Sequence, residues 1–185
     1  MTSMRLLATA LAALMAFPLH AQDAAPAPAA PPAATEGVQA GLRIEVLKPT
    51  LDESGQPVLD ASGQPVLGFQ PVAYDLSLLP GDEFRYIAEL VNDGPDAEAI
   101  EIGLDVPSAS RLLPETVVAS TDAVFELGST TDATLRLPLF VEVDGASVPN
   151  PEWAATPERF DRLYARIQRI PSEQTATVTY HLVVR

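Results

Sequence analysis

No cysteine occurs in the 185 residues. Its absence excludes disulfides, thiolate catalysis, iron–sulfur clusters, cysteine-bound zinc and an acylated cysteine at a processed N-terminus. Histidine is almost as scarce, with His20 in the leader described below and His181 near the end. A paired-histidine metal site is therefore excluded. A serine–histidine–acid triad would depend on His181, and no serine sits in a Gly-x-Ser-x-Gly elbow. Basic residues number 11 against 25 acidic ones, giving a net charge of −14. Such a chain repels a phosphate backbone, so no nucleic-acid partner is expected.

What the sequence does contain begins with a leader. Arg5 precedes an apolar run over residues 6–17, and Pro18, Leu19, His20 and Ala21 follow it. This order of charge, apolar stretch and small residue is that of a secretory signal cleaved after Ala21. The run is too short for a membrane anchor, which needs roughly 20 residues, so no membrane insertion is expected after cleavage. Loss of Arg5 takes the net charge to −15. Residues 22–40 hold Pro26, Pro28, Pro31 and Pro32 among eight alanines, with only Val38 as a larger apolar side chain. That composition predicts a disordered, extended linker.

From Gly41 onward the dominant period is two. Leu42, Ile44 and Val46 alternate with Arg43, Glu45 and Leu47, and Val72, Tyr74 and Leu76 alternate with Ala73 and Asp75. Phe84, Tyr86, Ala88 and Leu90 form one face of a third strand, and Ile100, Ile102, Leu104 and Val106 one face of a fourth. Asn92, Asp93, Gly94, Pro95 and Asp96 between these two predict a hairpin turn. Further strands are expected over residues 116–119, 123–127, 134–143 and 175–184, with turns at Gly128–Ser129, Asp144–Gly145 and 149–151. Residues 157–160 read as a short helical turn opened by Thr156 and Pro157, followed by a strand. Seven to nine short strands over residues 41–185 predict an all-β chain, an antiparallel sandwich of Ig-like type.

The stretch Leu79, Pro80, Gly81, Asp82 through Tyr86 to Asn92 and Gly94 resembles the bacterial Ig-like repeat known as domain of unknown function eleven. The likeness extends to residues 100–107 and to Ile170, Pro171, Ser172 and Glu173 before the last strand, departing at Ser172, where glycine is usual. It covers roughly residues 72–185 and implies a non-catalytic part of an exported or cell-surface protein. Tyr86 is expected to bury its ring and hold its hydroxyl on a partner.

Two features stand outside that framework. Residues 52–59 and 60–67 are an octad in duplicate, differing only where Glu53 is replaced by Ala61. Each joins an Asp-x-Ser-Gly turn to Gln-Pro-Val-Leu. This is either a slippage duplication in a tolerant loop or a two-pronged loop presenting Val58, Leu59, Val66, Leu67 and Phe69 to a partner. Arg159, Arg162, Arg166 and Arg169 are the one basic cluster. They either pair with neighbouring acids such as Glu158 and Asp161, or let Arg162 and Arg166 dock an anionic polymer or an acidic envelope protein.

Oxygen ligands at Asn92, Asp93 and Asp96, and at Asp52, Ser54, Asp60 and Ser62, lack the spaced calcium-loop pattern. No cofactor, metal or catalytic residue is expected, and His181 should face outward from the last strand. The sequence thus predicts an exported, non-catalytic binding or structural module, with an accessory or adhesion subunit of a surface assembly as the alternative and an enzyme a distant one. N-terminal sequencing of the exported protein is expected to start at Gln22. A chain that retains Met1 would contradict the leader.

Overall fold

The computed structural model describes residues 37–72 and 77–185. The leader and most of the linker lie outside them, as do residues 73–76 of the strand expected around Val72. The elements run β1 (Val38–Pro49), β2 (Leu67–Pro71), β3 (Glu83–Asn92), β4 (Ala97–Asp105), β5 (Ser110–Ala119) and β6 (Ala123–Gly128). Then come β7 (Arg136–Pro138), β8 (Phe140–Val143), β9 (Ala146–Pro149), helix α1 (Pro151–Ala155), a 3₁₀ turn at Pro157–Arg159, β10 (Arg162–Ile170) and β11 (Gln174–Val184).

A five-stranded sheet, β2-β1-β3-β11-β5, packs on a four-stranded sheet, β4-β10-β6-β7, and β8 and β9 form a separate ribbon. Every pairing is antiparallel. The expected β-sandwich is what the chain forms. Its core lies between the central strands. From β11 come Ala176, Val178, Tyr180 and Leu182, and from β10 Leu163, Ala165, Ile167 and Ile170, all at most 2% exposed. Period-two alternation puts the β11 set on one face, and likewise Leu163, Ala165 and Ile167, while Ile170 turns inward after the exposed pair Gln168 and Arg169. Burying a side chain of this size contributes about 1.5–3 kcal/mol.

Several expectations change on contact with the structure. Val38, Gln39 and Ala40, assigned to the linker, open β1 opposite Asn92, Val91 and Leu90 of β3. Residues 92–96 do not close a hairpin, because β3 and β4 belong to different sheets. The cause is the Asn92 side chain, which is fully buried. Its amide donates to the carbonyls of Pro95 (2.8 Å), Ile170 (2.9 Å) and Pro171 (3.2 Å), while its Oδ1 accepts from Gly94 N–H at 3.1 Å. The chain is thereby drawn across the sandwich to the end of β10. Gly37 (φ +98°) fits against this corner, where a Cβ would lie 2.6 Å from Gly94 Cα.

The single strand expected over 134–143 is two strands in different sheets, broken at Leu139. Pro138 has no N–H to continue the ladder, and Leu139 turns fully inward. Its N–H donates to Phe125 O (2.9 Å), and its own carbonyl accepts from Asn150 N–H (2.9 Å) and from the Trp153 indole (3.1 Å). Asn150 and Pro151, expected as part of a turn, open helix α1, whose first turn Asn150 caps through Glu152 N–H at 3.0 Å. The short turn and strand expected after Thr156 are present.

The buried tyrosine with a satisfied hydroxyl is Tyr180, not Tyr86. Tyr180 faces Tyr86 in register but lies under the opposite sheet, where its hydroxyl donates to Asp105 O of β4 at 2.7 Å. Tyr86 remains half-buried, its ring 5.2 Å from that of Tyr180. Burial raises the pKa of both phenols.

The Pro80–Gly81 corner forms as expected. Asp82 N–H donates to Leu79 O at 2.9 Å with Gly81 at φ +92°, the type II pattern. In the last turn the left-handed residue is Glu173 (φ 60°), not Ser172.

Replacing Asn92 by Ala leaves buried carbonyls without donors and is expected to cost about 3 kcal/mol in urea unfolding. Tyr180→Phe, which removes one donor, should cost about 1 kcal/mol. A loss at Asn92 no larger than that at Tyr180 would show that the corner is not fixed by its amide.

Candidate functional site

The octads are built on the tip of the β1–β2 hairpin, between Pro49 and Leu67, which pair with each other. Each octad folds on itself. Asp52 Oδ1 accepts from Ser54 N–H (2.9 Å), Ser54 Oγ–H (2.7 Å) and Gln56 N–H (2.9 Å). Asp60 Oδ1 repeats this with Ser62 N–H (2.8 Å), Ser62 Oγ–H (2.7 Å) and Gln64 N–H (3.0 Å). These bonds, the serine hydroxyl first, hold both carboxyls below their usual range. Gly55 (φ 80°) and Gly63 (φ 81°) supply the left-handed residue of each turn. Leu51 bridges Pro57, and Leu59 bridges Pro65.

The two prongs are joined by a closed ring of backbone bonds. Val58 N–H donates to Thr50 O, Val66 N–H to Val58 O and Thr50 N–H to Val66 O, each at 2.8 Å. The ring members stand eight residues apart, so the sequence repeat is a structural repeat. Around it Leu51, Leu59 and Leu67 are each more than half exposed, and Val58 and Val66 are exposed as well. Phe69 is not presented with them. It folds onto the outer face of the five-stranded sheet, edge-on to His181 with ring centres 4.7 Å apart and under the Arg85 guanidinium at 4.1 Å. His181 does face away from the inter-sheet core, as expected, and its Nδ1 lies 2.7 Å from Glu83 Oε1.

Three of the four clustered arginines are occupied within the chain. Arg162 pairs with Asp105 at 2.8 Å, Arg166 with Glu101 at 3.1 Å, and Arg169 with Asp96. The expected neighbours Glu158 and Asp161 are not the partners. Register decides this for Arg162 and Arg166, which β10 sets opposite Asp105 and Glu101 of β4, whereas Asp96 lies just before that strand. Glu101 is the hub: Arg136 grips it with bonds of 2.7 and 3.0 Å, while that guanidinium also lies 3.6 Å from the Tyr164 ring centre.

The oxygen ligands around Asn92 are likewise committed, Asp93 to Gln39 and Asp96 to Ser172 and Arg169. Among the described residues no cluster of three or more His, Asp or Glu side chains is placed to hold a metal ion, and no helix is long and apolar enough to cross a membrane.

A hollow of about 60 Å³ opens at the end of the sandwich. Leu112, Leu127, Trp153 and Phe160 form its apolar floor, and Arg111 and Arg185 stand at its mouth with Glu158. Its residues come from five separate segments that no local pattern links. Asn150, Pro151 and Glu152, a capping residue followed by proline and an acid, were the one available signal for its helical wall.

Two of the outer strands, β4 and β5, are ill suited to strand addition. Edge strand β4 leaves extended geometry at Ala99 (φ 53°) and carries Glu98, Glu101 and Asp105, while edge strand β5 contains Pro114 and shifts register against β11.

No family model matches the chain, and no curated protein does. Among solved structures, a "Putative membrane anchored protein" from Corynebacterium diphtheriae aligns over 77% of this chain at 12% identity and a TM-score of 0.35. The chain spans 44% of that structure's length. At that score the likeness carries no functional argument, and no family is assigned.

Hydrogen bonds from Arg136, joined by Arg166, hold the Glu101 carboxyl at about 2, below its ordinary 4.5. A depressed carboxylate stabilises the fold above its unfolded value, and that contribution is lost as pH falls through the folded one. Stability should therefore decline between pH 4.5 and about 2, and Glu101→Gln should flatten that decline in acid unfolding curves. An unchanged acid limb in the variant would remove Glu101 as the cause.

Proposed function

We propose that the chain is an exported, non-catalytic Ig-like module of a bacterial cell envelope that binds protein partners through its octad tip. The observation that carries this reading is the ring-closed tip itself, which holds several aliphatic side chains exposed on a hydrogen-bonded scaffold. Exposed leucines on a fixed frame lose little ordering entropy on binding, the condition under which a small contact becomes useful. The secretory leader supports the envelope location, and the residues shared with domain of unknown function eleven support the Ig-like kinship. An accessory subunit of a surface assembly is the specific form this role takes if the partner is stoichiometric.

Deleting one octad should leave the fold intact, with a change in unfolding free energy of about 0.6 kcal/mol or less, because loop length enters closure entropy only logarithmically. Replacing Leu51, Leu59 and Leu67 by Ser should abolish partner recovery after cross-linking in the envelope while leaving the melting transition in place. Undiminished recovery from the triple variant would remove the tip as the binding surface. Turnover in a substrate panel would overturn the non-catalytic reading.

A further inference from the structure

The octad tip and the hollow beside Trp153 lie at the same end of the sandwich. A row of register partners crosses the five-stranded sheet there, from Val46 of β1 to Phe84 of β3, Leu182 of β11 and Leu112 of β5. Beyond this row β1 continues into the octads, while Arg111 and Arg185 stand on the β5–β11 side. With strands ~4.8 Å apart, the two features are separated by about 14 Å at the level of the row.

Their chemistry is complementary. The octads carry Asp52, Glu53 and Asp60, and residues 49–72 contain no Lys or Arg. Six of the nine arginines among the described residues hold a carboxylate. The other three are Arg111, Arg159 and Arg185. Two of them stand at the mouth of the hollow, and Arg159 closes the 3₁₀ turn that forms its wall. In a chain this acidic, the cations left over gather around one apolar opening.

At about 60 Å³ the hollow is far below the roughly 300 Å³ of a typical small-ligand pocket. It suits a single aliphatic side chain. Each prong presents such a group beside an acid: Leu51 precedes Asp52, and Leu59 precedes Asp60.

We propose that a second copy of this chain is the partner, in a two-fold dimer in which Leu59 of each copy enters the other's hollow and the octad acids face Arg111 and Arg185. Placement of both features at one end, toward opposite sides of the same sheet, lets a two-fold axis make both contacts reciprocally. Glu158 at the mouth opposes the acids, so Arg111 and Arg185 must outweigh it. The proposal rests on the octad tip being a binding surface and names what it binds.

Sedimentation velocity of the chain from residue 22 onward, from low to high micromolar concentration, is expected to show a monomer–dimer equilibrium. Leu59→Ser and Arg111→Glu should each weaken it about tenfold without moving the melting transition, and Glu53→Arg should recover part of the loss in the Arg111→Glu background. A dimer indifferent to both single changes overturns the arrangement. A monomer at every concentration overturns the dimer. If that monomer still captures an envelope protein through Leu51, Leu59 and Leu67, the binding tip stands with a foreign partner. If it captures nothing, both proposals fall.

Discussion

The inner faces of β10 and β11 meet at the centre of the sandwich, and the other strands are arranged around that contact. With no cysteine to tie the sheets, apolar packing between them must supply the attraction. Packing alone is weakly directional, so two sheets could slide over one another at little cost. Polar ties at opposite ends restrict this. The Asn92 amide fastens the end of β3 to the carbonyls after β10, and the Tyr180 hydroxyl fastens β11 to the last residue of β4. Each bond is modest when made and expensive when left open in a dry interior. Together they select one alignment from those the apolar surfaces would tolerate.

Much of the fold was legible because half-buried strands write their environment into the sequence every second residue. Strands β1, β3, β4, β6, β10 and β11 all announce themselves in this way. What period-two alternation does not encode is which sheet a strand joins. The turn residues after Asn92 look like those of any hairpin, and only the burial of one amide, satisfied by residues far along the chain, sends β4 to the other layer. Leu139 poses the same difficulty. It fits the alternation of residues 134–143, yet Pro138 interrupts the ladder and lets the chain change direction. Tyr86 and Tyr180 share a face of neighbouring strands, and their different depths follow from what the opposite sheet sets over each, Asp105 of β4 lying over Tyr180, which has no local signature.

The surface divided similarly. The duplicated octad was visible at once as text, but its meaning depends on three backbone segments converging, which no count of residues reveals. In the sequence the nearest acids to Arg162 and Arg166 are Glu158 and Asp161. The partners of both arginines sit on β4, brought there by antiparallel register. Arg111 and Arg185 stand alone in the sequence and come together only through the pairing of β5 with β11. Phe69, read as part of the loop, instead covers His181 and Arg85 on the sheet, since it belongs to β2 and follows that strand's direction.

The ring at Thr50, Val58 and Val66 has a consequence for how this chain can change over time. Each octad takes the backbone out and returns it to a point where one N–H and one C=O join the ring. With a single octad the ring would shrink to an ordinary pair of mutually bonded residues, and with a third it would gain one more member. In each case β1 and β2 receive the same ends and keep the same register. Insertions in units of eight are therefore invisible to the sandwich, whereas any other length would leave ring donors and acceptors without counterparts. The tip behaves as a modular extension whose size can be tuned by copy number, independently of the domain that carries it.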